Sequence, residues 1–534
     1  MKLNRYIFTV LIFGAGLTGL SAQNIELPDV TTVISGDSVK VGADALPSFE
    51  DVLVLPENSG SLVPQLPDVE SPASSEIKGK NSSDGEKSIF AEGQIGGGYP
   101  TLFKGDFSVF RLSGLSPFKI SFAHDSSVGY GNHSLTDGFS DRTTNLTVEK
   151  TFQQNQFKWG FAGAYQALSN GLQKQYPGIT NLNQDNYSAG GNFEWAIKNG
   201  FTLGVNADLN LYNRYADVAS GSFPTATLFT ASPDLFFKWQ GYGLEIGIDG
   251  SYLFENDFYN VVYTGNLQRG TFGTSLAWSN DFVKIYGNVH GLVGNQLNSN
   301  TILAPFTVGL DTSFPVYFSN RRFSLSLKGG LDSYMNKVSD LERKFKFSKL
   351  DVKPSETTDW YAKLEFGVPL KESFTGKLQM EYRQTAFGNG YWQPLYTNLT
   401  SGSSIYSYYM KDMRQLNSNI ELTYHYKIFS ISGGWKSYWM DLPALEDAYQ
   451  IYLDLNFQSQ DSKWGLDLNG NWSFESSDVN PVINLEGFVR LTSAVRAVVS
   501  FEDVLKLIKA EPRVYAGNYI TRGGTATLLL KFFF

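Results

Sequence analysis

The sequence contains no cysteine among its 534 residues. Structural disulfides, thiolate metal sites and a cysteine nucleophile are therefore excluded. Charged residues are also sparse, at 18% against roughly 25% in an average soluble protein. The balance is acidic, with 52 Asp and Glu against 43 Lys and Arg, so we expect no nucleic-acid partner.

Long apolar runs are missing after residue 22, so no transmembrane helix is expected in the rest of the chain. Before that point, Lys2 and Arg5 precede an apolar stretch over 7–20, and small residues lead up to Ala22. This order is typical of a secretory signal peptide, which we predict over 1–22. No cysteine follows it, so we expect no lipoprotein anchor.

Gly14, Gly16 and Gly19 match the GxGxxG pattern of dinucleotide-binding proteins. That pattern needs a helix directly after it, because the pyrophosphate binds at a helix N-terminus. The residues that follow here lack helical periodicity, and Pro28 comes soon after. We therefore assign these glycines to the signal peptide and expect no cofactor.

Residues 23–87 form a compositional block with little apolar surface. They hold six of the 19 prolines and one aromatic residue, Phe49, with 12 Asp and Glu against 4 Lys. Such a segment buries too little apolar surface to offset the entropy lost on ordering. We predict an acidic periplasmic arm that is extended or disordered.

Residues 88–534 alternate between apolar and polar side chains with period two. The pattern is clearest over 201–211, 244–252, 420–426, 449–457 and 464–474. Alternation places apolar residues on one face of a sheet and polar residues on the other. Soluble sandwiches alternate too, but the strands predicted here run about 9–12 residues, enough to cross a bilayer at a tilt. The charged and polar residues on the polar face suit a water-filled lumen, as in Lys377, Gln379, Glu381 and Arg383.

We therefore predict an all-β fold, a transmembrane antiparallel β-barrel of about 22 strands within a range of roughly 16–24, over residues 88–534. Such barrels alternate short periplasmic turns with long outer loops. Short turns are predicted at 153–156, 198–200, 240–243, 371–373 and 459–462. Long loops are predicted at 129–142, 170–184, 212–225, 336–358, 388–413 and 507–518.

The chain ends in an aromatic residue, Phe534, with Leu530 and Phe532 on the same face of the last strand. This ending resembles the signal that is read by the barrel assembly machinery of Gram-negative-type outer membranes. The Arg522-Gly523 pair before the last strand is similar to the C-terminal end of TonB-dependent outer-membrane receptors. The Asn-Leu of that family is replaced here by Asp503-Val504.

A segment near the N-terminus resembles a TonB box, an extended peptide that adds as a strand to an inner-membrane partner. Its residues are Asp29, Val30, Thr31, Thr32, Val33 and Ile34. An ordinary extended linker is the alternative. The receptors carry a large folded plug between box and barrel, whereas only the proline-rich, acidic residues 35–87 stand there in this chain. The resemblance therefore implies a receptor-like barrel without its own plug.

Catalytic patterns are not found in the sequence. The four histidines, His124, His133, His290 and His425, lie far apart and without an HExxH pattern, so we interpret them as loop or lumen residues. No GxSxG elbow of a serine hydrolase occurs either. We expect neither an enzyme nor a resident metal.

Two stretches are candidate ligand sites. The loop over 388–413 is rich in aromatic residues, namely Tyr391, Trp392, Tyr396, Tyr406, Tyr408 and Tyr409. They could form a stacking platform for a glycan or chelate, or they could pack within the loop and at the membrane interface. The second stretch is a basic run that could attract anionic lipid headgroups or an anionic solute, or could simply be a solvated face. Its residues are Arg343, Lys344, Lys346, Lys349 and Lys353.

The predicted function is transport of an unknown small solute through the lumen of an outer-membrane protein of a diderm bacterium. A barrel of this width leaks unless it is blocked, so we expect the arm, inward-folded loops or a separate periplasmic protein to close it. The expected partners are the lipid bilayer, the barrel assembly machinery, and a periplasmic or inner-membrane protein that binds residues 23–87. A passive porin or FadL-like channel, and a surface adhesin or structural scaffold, are the alternatives.

Overall fold

The computed structural model describes residues 89–534, apart from 113–115, 131–132, 176–177, 219–224, 297–302, 317–318, 348–352, 372, 396–406, 475–480 and 517–518. The predicted signal peptide, the predicted arm and the segment that resembles a TonB box lie outside the described residues.

Strands make up most of the described chain. In chain order they are β1 (Phe90–Tyr99), β2 (Leu102–Arg111), β3 (Phe118–Val128), β4 (Ser140–Gln154), β5 (Phe157–Gly171), β6 (Ile179–Ile197), β7 (Phe201–Val218), β8 (Ala226–Gly241), β9 (Leu244–Asp257), β10 (Asn266–Ser279), β11 (Val283–Gly294), β12 (Phe306–Val316), β13 (Ser319–Met335), β14 (Glu356–Lys371), β15 (Phe374–Thr385), β16 (Tyr391–Leu395), β17 (Ser407–Lys411), β18 (Arg414–Tyr426), β19 (Phe429–Tyr438), β20 (Tyr449–Gln458), β21 (Trp464–Phe474), β22 (Val482–Arg490), β23 (Val495–Glu502), β24 (Arg513–Ala516), β25 (Tyr519–Thr521) and β26 (Thr525–Phe533).

Within the described residues, the helices are short and lie between strands. They are α1 (Val338–Lys344) and α2 (Val504–Lys509), together with single 3₁₀ turns at Leu135–Asp137 and Lys198–Gly200. Among the described residues, no helix is both long and apolar enough to cross a membrane.

Of the described strands, 22 form one antiparallel sheet that closes on itself. Each barrel strand pairs with the next one along the chain, and β1 pairs with β26 from Glu92↔Phe533 to Tyr99↔Ala526. Closure removes the free edges, so the backbone groups are satisfied within the barrel. The predicted all-β barrel of about 22 strands is confirmed. Two small hairpins, β16–β17 and β24–β25, stand apart from it.

Alternation places the apolar side chains on the outside of the barrel. On β5, Trp159 and Phe161 are 43% and 45% exposed on the outer face. Aromatic rings are concentrated where the strands meet the short turns. The ring centroids of Phe157 and Trp195 lie 5.9 Å apart, and those of Phe201 and Phe237 lie 5.6 Å apart. This arrangement is that of an aromatic girdle at a membrane interface.

Short turns join the strands at one end of the barrel, and apart from the β1–β2 turn the connections at the other end are longer. The predicted turns at 153–156, 198–200 and 240–243 join neighbouring strands as expected. Phe534 exchanges backbone hydrogen bonds with Ala91 at this same end. Short turns face the periplasm in outer-membrane barrels, so the long-loop end is the outer mouth.

Several strands are longer than the 9–12 residues predicted from the sequence. β6 has 19 residues and β7 has 18, and both extend into the segments 170–184 and 212–225 that were assigned to loops. Their pairing continues to Ile179↔Val218, past a register shift between Ile179 and Asn181. Above the bilayer the outer face no longer needs apolar side chains, so alternation fades while the ladder of backbone hydrogen bonds continues. The predicted loop bounds are therefore wrong at this hairpin.

Candidate functional site

The loop between β13 and β14 lies inside the outer mouth and carries α1. Val338, Leu341 and Phe345 of this loop are buried in one apolar cluster with side chains of the barrel wall. The wall residues of the cluster are Tyr212, Ala226, Leu228, Leu253 and Leu267. Leu209 is exposed on the outer face of β7, so by alternation Tyr212 faces the lumen. The helix therefore fills part of the mouth instead of projecting from it.

A buried ion pair fixes α1 to the wall. Glu342 accepts hydrogen bonds from the Arg214 guanidinium and, at 2.5 Å, from the Tyr212 hydroxyl. Arg214 and Glu342 are only 1% and 2% exposed. A buried pair adds little net stability by itself, but removing one partner leaves an uncompensated charge. The pair therefore specifies where α1 sits.

The same loop reaches the opposite side of the mouth. The Phe347 ring stacks on Tyr519 of β25, with centroids 4.0 Å apart and planes 2° from parallel. The Lys346 backbone N–H donates to the Tyr515 hydroxyl of β24 at 3.1 Å. These contacts join the β13–β14 loop to the hairpin that precedes the last barrel strand.

The β16–β17 hairpin also packs against α1. Trp392 and Tyr408 are buried in the same cluster, and the Tyr408 hydroxyl donates to the Leu341 carbonyl at 3.1 Å. Tyr391 donates to Asp359 at 2.7 Å. Burial, with Tyr334 and Asp359 nearby, raises the pKa of Tyr391 well above its usual range, which keeps this donor protonated.

The structure separates the six loop aromatics that the sequence groups together. Trp392 and Tyr408 pack inward, Tyr391 is tied to Asp359, and Tyr409 is 43% exposed. Tyr396 and Tyr406 lie outside the described residues. For the two buried rings, packing inside the mouth replaces the stacking platform.

The basic run is divided in a similar way. Arg343 donates to Gln166 of β5 at 3.3 Å and to Asp340 at 2.5 Å. Lys344 lies over the Phe345 ring at 5.1 Å. Lys349 lies outside the described residues, whereas Lys353 is described. Arg343 thus helps to seat α1 against the wall, a role that the charge pattern did not indicate.

The lumen wall carries two networks in which an arginine is surrounded by carboxylates. Arg383 donates to Asp359 at 2.6 Å and lies 3.2 Å from Asp332. Arg522 donates to Asp125 at 2.9 Å, and its guanidinium lies 3.8 Å from both Asp141 and Glu502. The networks line the lumen with water-compatible groups.

Histidines take part in local contacts. His290 lies 2.9 Å from Asp249, and His124 lies 2.8 Å from the Thr144 hydroxyl. His133 stacks on Phe139. Within the described part of the chain, no group of three His, Asp or Glu side chains is placed to hold a metal ion.

The aromatic C-terminus faces outward. Leu530 and Phe534 are 38% and 73% exposed, and the Phe532 and Phe534 rings lie parallel on the same face of β26. This placement agrees with the face predicted from the sequence, while recognition of these residues by the assembly machinery stays a prediction.

No protein-family model matches the sequence, and no curated protein matches it either. Solved structures resemble the fold. The FrpB iron transporter of Neisseria meningitidis superposes with a TM-score of 0.62 at 9% identity, covering 84% of this chain and 81% of that one. The ferric enterobactin receptor PfeA of Pseudomonas aeruginosa gives 0.60 at 9% identity, with coverages of 84% and 80%.

The siderophore receptor PirA of Acinetobacter baumannii gives a TM-score of 0.58 at 8% identity, with coverages of 84% and 80%. At such identities the likeness concerns the fold. The apolar exterior and this fold place the chain in an outer membrane, which it crosses as a closed barrel. The chain has the barrel fold of TonB-dependent outer-membrane receptors, as its C-terminal residues implied.

Proposed function

We propose that this protein moves a solute across the outer membrane through its lumen, and that the β13–β14 loop is the gate of this route. The observation that carries the proposal is the position of α1 inside the mouth. The helix is attached to β7 through Arg214, and Phe347, which follows the helix, stacks on the β24–β25 hairpin. We call the described loop residues 336–347 the gate. Structures with this fold include an iron transporter and siderophore receptors, which supports a role in uptake.

The chemistry of the gate suits a part that opens and closes. Its link to the wall includes the buried pair of Arg214 and Glu342, whose attraction is largely offset by the cost of removing both charges from water. Water or a polar solute that enters can solvate both groups again. Separating such a contact therefore costs less than breaking an apolar core of the same size.

The test removes the gate and measures conductance in planar bilayers. Met335 and Glu356 are direct cross-strand partners, so a short Gly-Ser turn can join β13 to β14 in place of residues 337–354. We expect the full chain to conduct poorly and the variant without the gate to conduct strongly. The matched control shortens the β3–β4 loop at the turn Leu135–Asp137, whose backbone hydrogen bonds close within the loop while the Asp137 carboxylate pairs with Lys174 of the β5–β6 loop.

The same recordings separate the alternatives. Strong conductance of the unaltered chain would identify a passive porin instead of a gated transporter. Silence of both the unaltered chain and the variant without the gate would contradict a transport route through the lumen and favour an adhesin or scaffold. Equal opening after the β3–β4 change would show that the gate has no special role.

A further inference from the structure

The β24–β25 hairpin connects the gate to charged groups on the far wall of the mouth. At one end of β25, Tyr519 is fully buried and stacks on Phe347 of the gate. β25 ends at Thr521, and Arg522 follows at once. Only a few residues of extended backbone therefore separate the ring that touches the gate from the guanidinium that touches the wall.

Arg522 binds the wall through three carboxylates on different strands. It donates to Asp125 of β3 at 2.9 Å, and it lies 3.8 Å from Asp141 of β4 and from Glu502 at the end of β23. Lys104 of β2 lies 2.6 Å from Glu502 and neutralises part of the excess negative charge. Burial opposes the charge of Arg522, but Asp141, Asp125 and Glu502 outweigh it and raise the pKa.

The middle of β25 is also bound to the side chain of Gln173. The Gln173 side chain donates to the Ile520 carbonyl at 2.7 Å and accepts from the Ile520 backbone N–H at 3.0 Å. Gln173 is itself buried. Because both backbone groups of Ile520 are engaged, β25 cannot shift along its axis without losing these bonds.

We propose that Arg522 is a positioning residue of the gate: by binding β25 to the walls of β3, β4 and β23, it presents Tyr519 to Phe347 and so holds α1 in the mouth. This inference rests on the proposed gate and names a residue outside the gate that controls it. Within the part of the chain that the structure describes, Arg522 forms no hydrogen bond or ion pair with the gate, so its effect passes through β25.

The absence of cysteine provides a clean test, because one introduced thiol is the only one in the chain. Phe345 is 1% exposed in the closed mouth, so the Phe345→Cys variant of the full chain should react slowly with a membrane-impermeant maleimide. Adding Arg522→Gln should raise the labelling rate by about tenfold or more, because local opening becomes more frequent. The matched control is Arg496→Gln, a buried arginine that stacks on Phe488 near the short turns.

The Tyr519→Leu variant tests the same inference by a second substitution. It breaks the stack on Phe347 but leaves the carboxylates around Arg522 intact, and it should also accelerate labelling. Combined with Arg522→Gln it should add little, because both changes act through one contact. The compact mobility of unboiled protein in detergent gels shows that each barrel has folded.

The inference would be overturned by unchanged labelling in folded Arg522→Gln, or by increments that multiply in the double variant. A rise in the Arg496→Gln control equal to that of Arg522→Gln would also overturn it. The readout differs from that of the transport proposal. Faster labelling without conductance would support the positioning role of Arg522 while contradicting transport through the lumen.

Discussion

Arg214 and Glu342 meet in the outer mouth, where almost no water reaches either of them. We expect Arg214→Met to free the gate, since the Glu342 carboxylate would then stay buried without its partner at a cost of about 3–5 kcal/mol. Labelling of the Phe345→Cys thiol measures this opening. The double change Arg214→Met with Glu342→Leu removes both charges and should restore slow labelling. If the double variant opens as far as the single one, the unpaired charge is not the cause.

Side chains on the outer face of the barrel contact lipid, whereas those on the inner face contact water. Ile420 of β18 is 49% exposed on the outer face, whereas Gln379 of β15 lies on the inner face. We expect Ile420→Arg to lower the free energy of unfolding in lipid vesicles by about 2–4 kcal/mol, the cost of an arginine near the middle of a bilayer. Denaturant titration measures it. Gln379→Arg is the matched control and should change stability little; an equal loss would contradict the assigned faces.

Among the elements, β1 forms the seam with the last strand. Gly96 of β1 has no room for a side chain, because a Cβ there would collide with the backbone oxygen of Leu528. We therefore expect Gly96→Ala to impair barrel closure and to lower the fraction of protein that migrates as a compact species before boiling. Gly105→Ala on β2 is the control, since the nearest atom to a Cβ there is 3.7 Å away. Equal folding of the two variants would show that the seam tolerates a side chain.

The elements also show where sequence reasoning succeeds. Short turns and the last strand were predicted closely, because alternation in the chain reports directly which face meets lipid. β6 and β7 were predicted too short, since their upper parts leave the membrane and lose that pattern. Trp392 and Tyr408 were grouped with four other aromatics by composition, although each ring has its own surroundings in the mouth.

At the scale of the whole molecule, one closed sheet surrounds a polar lumen, and α1 packs inside one end of it. The predicted arm over 23–87 lies outside the described residues, and its part in occlusion stays a hypothesis. If the gate suffices to close the pore, deleting residues 23–87 should leave conductance low, because α1 still fills the mouth. Planar-bilayer recording of the deletion variant checks this. A rise to the level of the variant without the gate would make the arm the main barrier.

The amino-acid sequence by itself determined the barrel, its outer face and the approximate strand number, because lipid imposes a period-two pattern that can be read along each strand. Only the tertiary structure decided which side chains hold α1 in the mouth. Arg214 and Glu342 are 128 residues apart in the chain, and Arg522 and Asp125 are 397 apart. Such partners have no fixed spacing, since they depend on where the closed sheet brings distant strands together around the lumen.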